Sequence, residues 1–430
     1  MKMTNRKNML KNKGLMAGLG TLLVVLLGAW LIGPRLLYGN PLFQAWVQSQ
    51  IADQTKGTFK FETIKGSIFS ADLKDLYLDL DGSAFNVQKV EAPEMIASFA
   101  LIPLLKNELS IKSLVMEGGV IQIRLNGGDA PQIALPVADS FRLKKGTIRM
   151  GNLSGWNLEL TGCDLKAEQS GSAASPVIEG TIYAAQAKIG KLLLEELEGS
   201  FRIENGVLHV EKVRARLPGK SALELSGSYE LSGKRSLKTN LSVNSPDVRS
   251  LLVALDFSDK FSGEAELSLQ AEGVFTPDRR LLNGAGKAAL KKIKPSVSLP
   301  RFPAFNDAPI FVRARNLGDL KGPAAFQLNK EKIVINELNL KNSDVQITGS
   351  AVVGYDRSLS SNLTFTGNKT VDAEIPSIAR DSFKHDADGN VIIPFELRGS
   401  TRDPQVDVGD VVGRVLSNPI KALNPLNLFH

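Results

Sequence analysis

From residue 59 onward, apolar and polar side chains alternate along the chain with a period of two. Leu76, Leu78 and Leu80 alternate with Tyr77, Asp79 and Asp81 ahead of an Asp81-Gly82 turn, and Ile121, Ile123 and Leu125 alternate with Gln122, Arg124 and Asn126 between Gly118-Gly119 and Gly127-Gly128. Trp156, Leu158 and Leu160 repeat the arrangement before Gly162, and Phe201 and Ile203 lead through Glu204-Asn205-Gly206 to Leu208 and Val210. Leu223 with Leu225, Leu267 with Leu269, and Val345 with Ile347 continue it. Successive side chains of a strand point to opposite faces, so each run predicts a strand with one apolar and one polar face. The Gly, Asn and Asp residues between runs predict the tight turns of an antiparallel meander.

Two earlier stretches have other periods. Residues 14–34 carry no formal charge and hold seven leucines, long enough as a helix to cross roughly 30 Å of hydrocarbon. Residues 41–55 place Phe43, Val47 and Ile51 four apart, with Pro41 in the first turn and Gly57 as stop, and predict an amphipathic helix. Later helices are short: residues 100–106, limited by Pro103, and residues 245–256, with Ser245 as cap and Pro246 at the first helical position. Helices do not follow each strand, which excludes the parallel nucleotide-binding architectures.

The strands repeat. Gly227-Ser228 and Arg235-Ser236-Leu237 with Asn240-Leu241-Ser242 recur as Gly349-Ser350 and Arg357-Ser358-Leu359 with Asn362-Leu363-Thr364, an offset of 122. Phe201, Val210 and Val213 match Phe326, Ile335 and Leu338 at an offset of 125. Repeated all-β units of this kind predict a sheet that grows by addition. The expected organisation is a basic cytoplasmic tail (1–13), a membrane anchor (14–37), an amphipathic helix (38–57) and a first β section (58–293) with a repeat unit at 199–255. A break follows at 294–309, where Pro295, Pro300, Pro303 and Pro309 remove ladder donors. A second β section (310–408) with a repeat unit at 322–365 and an amphipathic C-terminal cap (409–430) complete it.

Charge changes the picture once. The net charge of +7 invites a nucleic-acid reading, but Lys2, Arg6, Lys7, Lys11 and Lys13 supply five of those charges, and without them the balance is +2. No acidic residue accompanies them before the apolar run, and after Arg35 the next basic residue is Lys56. The positive-inside rule therefore places residues 1–13 in the cytoplasm and the bulk of the chain across the membrane. The apolar run ends without a small-x-small triplet and with Trp30 and Tyr38 at interfacial positions, so it reads as an uncleaved anchor rather than a cleaved signal peptide. Leu15, Leu19, Leu22, Leu23, Leu26, Leu27, Trp30 and Leu31 are its membrane-facing residues.

Candidate chemistry is sparse. Residues 283–288 (NGAGKA) lack the first glycine and the hydroxyl of a phosphate loop, with Leu281 and Ala288 in their places. His385-Asp386-Ala387-Asp388-Gly389-Asn390 offers oxygens like a calcium loop but no distal carboxylate, and reads as a polar turn. Cys163 stands alone, so no disulfide within the chain can form, and it reads as a buried structural thiol. The three histidines are scattered. Neither an enzyme, a metal site nor a cofactor is expected.

Four stretches, in this order, resemble the AsmA-like family of bacterial envelope proteins, related to TamB and to repeating β-groove lipid-transfer proteins. They are Thr55-Lys56-Gly57-Thr58-Phe59, residues 101–129, residues 207–255 and residues 393–404 (IPFELRGSTRDP). The resemblance covers about half of the chain. It implies a fold that is mainly β, an N-terminal transmembrane helix followed by a long curled antiparallel groove. It also implies a location in the bacterial inner membrane with the bulk in the periplasm, and carriage of phospholipid-like acyl chains between inner and outer membrane in envelope homeostasis. An outer-membrane or other envelope protein is the expected partner, and nucleic acid is not. Leu76, Leu78, Leu80, Ile121, Ile123, Leu125, Phe201, Ile203, Leu223, Leu225, Leu267, Leu269, Val345 and Ile347 are then the expected lipid-binding lining; the same residues read equally as ordinary β core. The alternative function is a structural or assembly scaffold without lipid carriage.

Overall fold

The computed structural model describes residues 38–55, 57–67, 70–79, 87–99, 111–124, 138–151, 158–172, 175–231, 235–255, 257, 259, 261–275, 280–295, 317–375, 380 and 383–407. The expected anchor at 14–34, the short helix at 100–106 and the cap at 409–430 lie outside them. Among the described residues no helix is long and apolar enough to cross a membrane. The fold is mainly β with few short helices, and it divides into two units, Met1–Tyr183 and Ala184–His430.

In the first unit, helix α1 (Pro41–Thr55) leads into β1 (Thr58–Lys60), β2 (Thr63–Ser67) and β3 (Ser70–Asp79). The side chain of Phe43 meets Tyr38 edge to face at 5.6 Å, while Leu42 is exposed. Both β1 and β2 pair with β3, which pairs on with β4 (Val87–Phe99). Next come β5 (Ile111–Glu117) and β6 (Val120–Arg124), both antiparallel to β4 and both parallel to β7 (Ala138–Gly151), which is antiparallel to β8 (Leu158–Ser172).

The sheet of this unit is therefore mixed, a correction to the expected antiparallel meander. Gly118-Gly119 does not turn the chain back. With φ +67 at Gly118, it kinks one continuous strand, whose halves β5 and β6 stay on the same neighbours. Gly118 N donates to Lys144 O (2.9 Å) and Thr147 N donates to Gly119 O (2.8 Å), so the kink keeps its ladder bonds. Similar irregularities lie beside it: Asp75 (φ 50) on β3 and Lys145 (φ 49) on β7, whose N–H donates to Asp164 Oδ1 at 3.1 Å. Of these, Lys145 lies at a bulge of β7 against β8, which bends the strand and adds twist, whereas the ladders run through Asp75 and Gly118 without a change of register.

The strand β9 (Ser175–Ile189) spans the division between units. The second unit then runs β10 (Leu192–Glu204), β11 (Val207–Leu217), β12 (Ser221–Glu230), β13 (Ser236–Ser245), α2 (Val248–Ala254), β14 (Phe261–Phe275) and β15 (Arg280–Pro295). It continues with β16 (Leu320–Leu328), β17 (Lys332–Lys341), β18 (Val345–Gly354), β19 (Ser358–Gly367), α3 (Lys369–Glu374), β20 (Lys384–His385), β21 (Val391–Ser400) and β22 (Pro404–Asp407). From β10 to β19 each strand is antiparallel to the next, and β21 follows β19 in the ladder. The Pro-rich stretch does not end the sheet, because β15 and β16 pair directly from Gly284↔Leu328 to Ile293↔Leu320.

The internal repeat is structural, and longer than its sequence signature. β11 carries a bulge after Val210, opposite β12, and β17 carries one after Ile335, opposite β18, at the same offset of 125. Arg235 (φ 52) and Arg357 (φ 73) occupy the same left-handed position before β13 and β19. After those strands come α2, capped by Asp247, and α3, capped by Asn368, and then β14 and β21. The second copy thus includes a helix that the sequence pattern does not announce. The matched Gly227 and Gly349 are not equivalent. Gly227 faces Val210 whereas Gly349 faces Leu338, the counterpart of Val213, a slip of two residues that leaves each glycine on the same face. The first helix also starts later than expected, with Asp247 as its cap, because Ser245 is buried with its Oγ accepting from Ser221 Oγ at 2.7 Å.

Candidate functional site

Strand register brings the apolar positions into rows that run across the strands. In the second unit Val213 faces Leu225, Leu225 faces Leu241, Leu241 faces Leu269 and Leu269 faces Gly286. The row goes on through Phe326, Ile335 and Ala351 to Ser361. One step along the strands, Leu223, Val243, Leu267, Ala288, Ala324, Leu338, Gly349, Leu363 and Phe395 form a parallel row. Most of these side chains are half-buried, whereas the residues between them, such as Asn240, Ser242, Ser268, Gln270 and Lys287, are exposed. The two faces are therefore chemically distinct over the unit. The first unit has rows of its own: Leu78, Val90, Ile121, Ile148 and Leu160, and beside them Leu73, Met95, Met116, Leu143 and Leu165.

One end of the apolar face in the second unit is closed by the protein itself. Val248 of α2, Val371 of α3, Ile375 and Phe383 join Ile293, Leu320, Leu340, Val345, Phe365, Val391 and Ile393 in a buried cluster. The first row ends on a device of the backbone. Ser361 is 3% exposed, and its Oγ accepts from Leu397 N at 2.7 Å where the β19–β21 ladder skips two pairs.

The sequence-predicted lining falls into three groups. Phe201, Ile203, Leu223, Leu225, Leu267 and Leu269 are half-buried on the apolar face of the second unit, and Leu78, Ile121 and Ile123 hold the same kind of position in the first. Leu76 and Val345 are fully buried, and Ile347 packs against the closed cluster, so these three have the surroundings of core residues. Leu80 and Leu125 lie outside the described residues. The reading missed Leu237, Leu241 and Val243, although their alternation in SLKTNLSVNS was legible, and Phe326, which it used only to align the repeat. Phe326 acts through Gly286, its cross-strand partner: a Cβ on Gly286 would fall within the Phe326 ring. Nothing in the local sequence of either residue announces that contact.

The polar face is laced with exposed ion pairs. Arg214 Nε lies 3.0 Å from Glu224 Oε1, Lys291 Nζ lies 2.6 Å from Glu266 Oε1 and Lys292 Nζ lies 2.6 Å from Glu264 Oε1. Hydrogen bonds from Lys212 and Arg214 hold the Glu224 carboxyl below its usual range. Charge of both signs along a sheet discourages association through that face.

Reactive groups are accounted for by structure. Cys163 is fully buried beside Gly146, and burial pushes its thiol up to about 11, so it is protonated at neutral pH. Asp386 turns its carboxylate on its own loop, Oδ1 accepting from Asp388 N and Asn390 N and Oδ2 from Asn390 Nδ2. Among the described residues no group of three or more His, Cys, Asp or Glu side chains is placed to hold a metal ion. The arrangement offers apolar area rather than polar chemistry.

No family model matches this chain, and no curated protein or solved structure matches it either.

Proposed function

We propose that this protein is an AsmA-like β-groove protein, tethered in the bacterial inner membrane by residues 14–34, whose sheet curls around its apolar face to carry phospholipid acyl chains across the periplasm. The observation that carries this reading is the half-buried apolar face in the second unit, continuous across both repeat copies. Covering a half-exposed leucine contributes on the order of 1 kcal/mol, and each methylene of a chain laid there about 0.8 kcal/mol, so a row of leucines binds acyl chains without any polar site. Direction of transport comes from supply and from envelope partners.

The scaffold reading has one observation in its favour: Val345 and Ile347 belong to a region filled by the protein's own side chains. Mass spectrometry of the full chain, extracted in mild detergent under non-denaturing conditions, separates the two. Lipid carriage predicts co-purifying phospholipid, retained through detergent exchange. A lipid-free protein sinks that reading and leaves the scaffold.

A further inference from the structure

The two repeat copies serve as each other's control. Helices α2 and α3 occupy equivalent places, each following its strand and each capped by an Asx side chain, and both sit at the same end of the apolar face. Their seats differ. Beneath α3 are Val345 and Gly367, paired across β18 and β19, and Val371 descends so closely onto Gly367 that a Cβ there would lie 2.5 Å from Val371 Cγ1. The equivalent residues beneath α2 are Ser221 and Ser245, whose hydroxyls are buried and bonded to each other at 2.7 Å. The position of Val371 is taken in α2 by Ser250, which bonds back to Asp247.

The fastenings differ too. Arg380 donates to the carbonyls of Asp372, Ala373 and Ile375 at the end of α3, and His385 Nε2 lies 2.9 Å from Asp372 Oδ1. Asn368 Nδ2 further ties the start of α3 to Ser343 O. Helix α2 has the exposed pair Arg249–Asp259 and leaves Val253 (53%) and Leu255 (43%) open to solvent. Helix α2 does place Val248 in the apolar cluster, but over the hydroxyl pair it sets Ser250 where α3 has the fully buried Val371, so at that seat it loses less on lifting, because water can take up the freed hydroxyls.

We propose that α2 is a lid that opens this end of the apolar face in the first repeat copy, while α3 is its fixed counterpart. The lid is argued from the seats and fastenings; that acyl chains pass under it rests on the proposed function.

Hydrogen exchange on the full chain in mild detergent, followed by mass spectrometry, tests the lid. The amides of α2 are expected to exchange about tenfold or more faster than those of α3. The triple variant Ser221→Val/Ser245→Gly/Ser250→Val, which gives α2 the seat of α3, should slow α2 by about the same factor and leave α3 unchanged. Should that variant fold poorly, Arg380→Ala is the second probe, expected to bring α3 exchange up toward that of α2. Equal protection of the two helices in the unaltered protein, or no response to either change, overturns the proposal.

Uptake of a fluorescent phosphatidylcholine from liposomes then tests passage, with slower uptake expected when the seat is exchanged. Unchanged uptake with slowed exchange overturns α2 as the entrance. No uptake by either chain counts against lipid carriage instead, with the lid still decided by exchange.

Discussion

Gly286 shows how much of the apolar face depends on single side chains. It lies between Leu269 and Phe326 in the long row, and only the missing Cβ lets the Phe326 ring lie over β15. Gly286→Val should destabilise the second unit by roughly 1–3 kcal/mol through overpacking. Adding Phe326→Ala should recover part of that loss, a coupling read from urea melts of the two single changes and the pair. Additive effects would show that ring and glycine do not meet. Asp247 is the other residue with a specific consequence. Its carboxyl accepts from Ser250 Oγ and N, and that bonding holds it below the usual carboxylate range. A lowered value in the fold means that the cap contributes above the unfolded-state value and is lost as acid protonates it. Stability should therefore fall as the pH drops below about 4, and Asp247→Asn should remove that part of the fall from the pH profile. An unchanged acid limb in that variant would show the carboxylate to be idle.

Among the elements, bulges and short helices set the geometry that alternation leaves open. Gly118 and Lys145 place left-handed residues on the neighbouring strands β5–β6 and β7, with Asp75 in line with them on β3 beyond β4, and the bulges of β11 and β17 recur at the repeat offset. A bulge moves the following side chains to the other face unless the alternation shifts with it. In both copies it does: Val210 and Val213, like Ile335 and Leu338, are three apart yet stay on the apolar face. Such spacing breaks are visible in the sequence as lapses in the period of two, but their alignment across neighbouring strands is not. The helices α2 and α3 follow the same logic, a short polar cap residue ending a strand and starting a turn of helix, with Asp247 in one copy and Asn368 in the other.

For the molecule as a whole, the apolar rows matter because they cross from one repeat copy to the other without interruption, through Leu269, Gly286 and Phe326. The lipid-carrying reading makes a face-specific demand. Leu241→Asp, at the centre of the row, should abolish or strongly reduce crosslinking of a photoreactive phospholipid, whereas Asn240→Asp, one residue away on the exposed face, should leave it unchanged. Equal effects of the two would mean that the apolar face is not the lipid-bearing one. Alternation, charge and repeats were enough to establish from the sequence that the chain is mainly β, that the strands have one apolar face and that a unit recurs. These are local properties, written in the side-chain period and in turn residues a few positions apart. The tertiary structure alone decided which strands are neighbours, that β5 and β6 run parallel to β7, that β15 and β16 bridge the Pro-rich stretch, and that Ser245 faces Ser221 rather than capping a helix. Each of these is settled by hydrogen-bond register and packing between residues tens of positions apart, where several pairings satisfy the same alternation and only the assembled sheet selects among them.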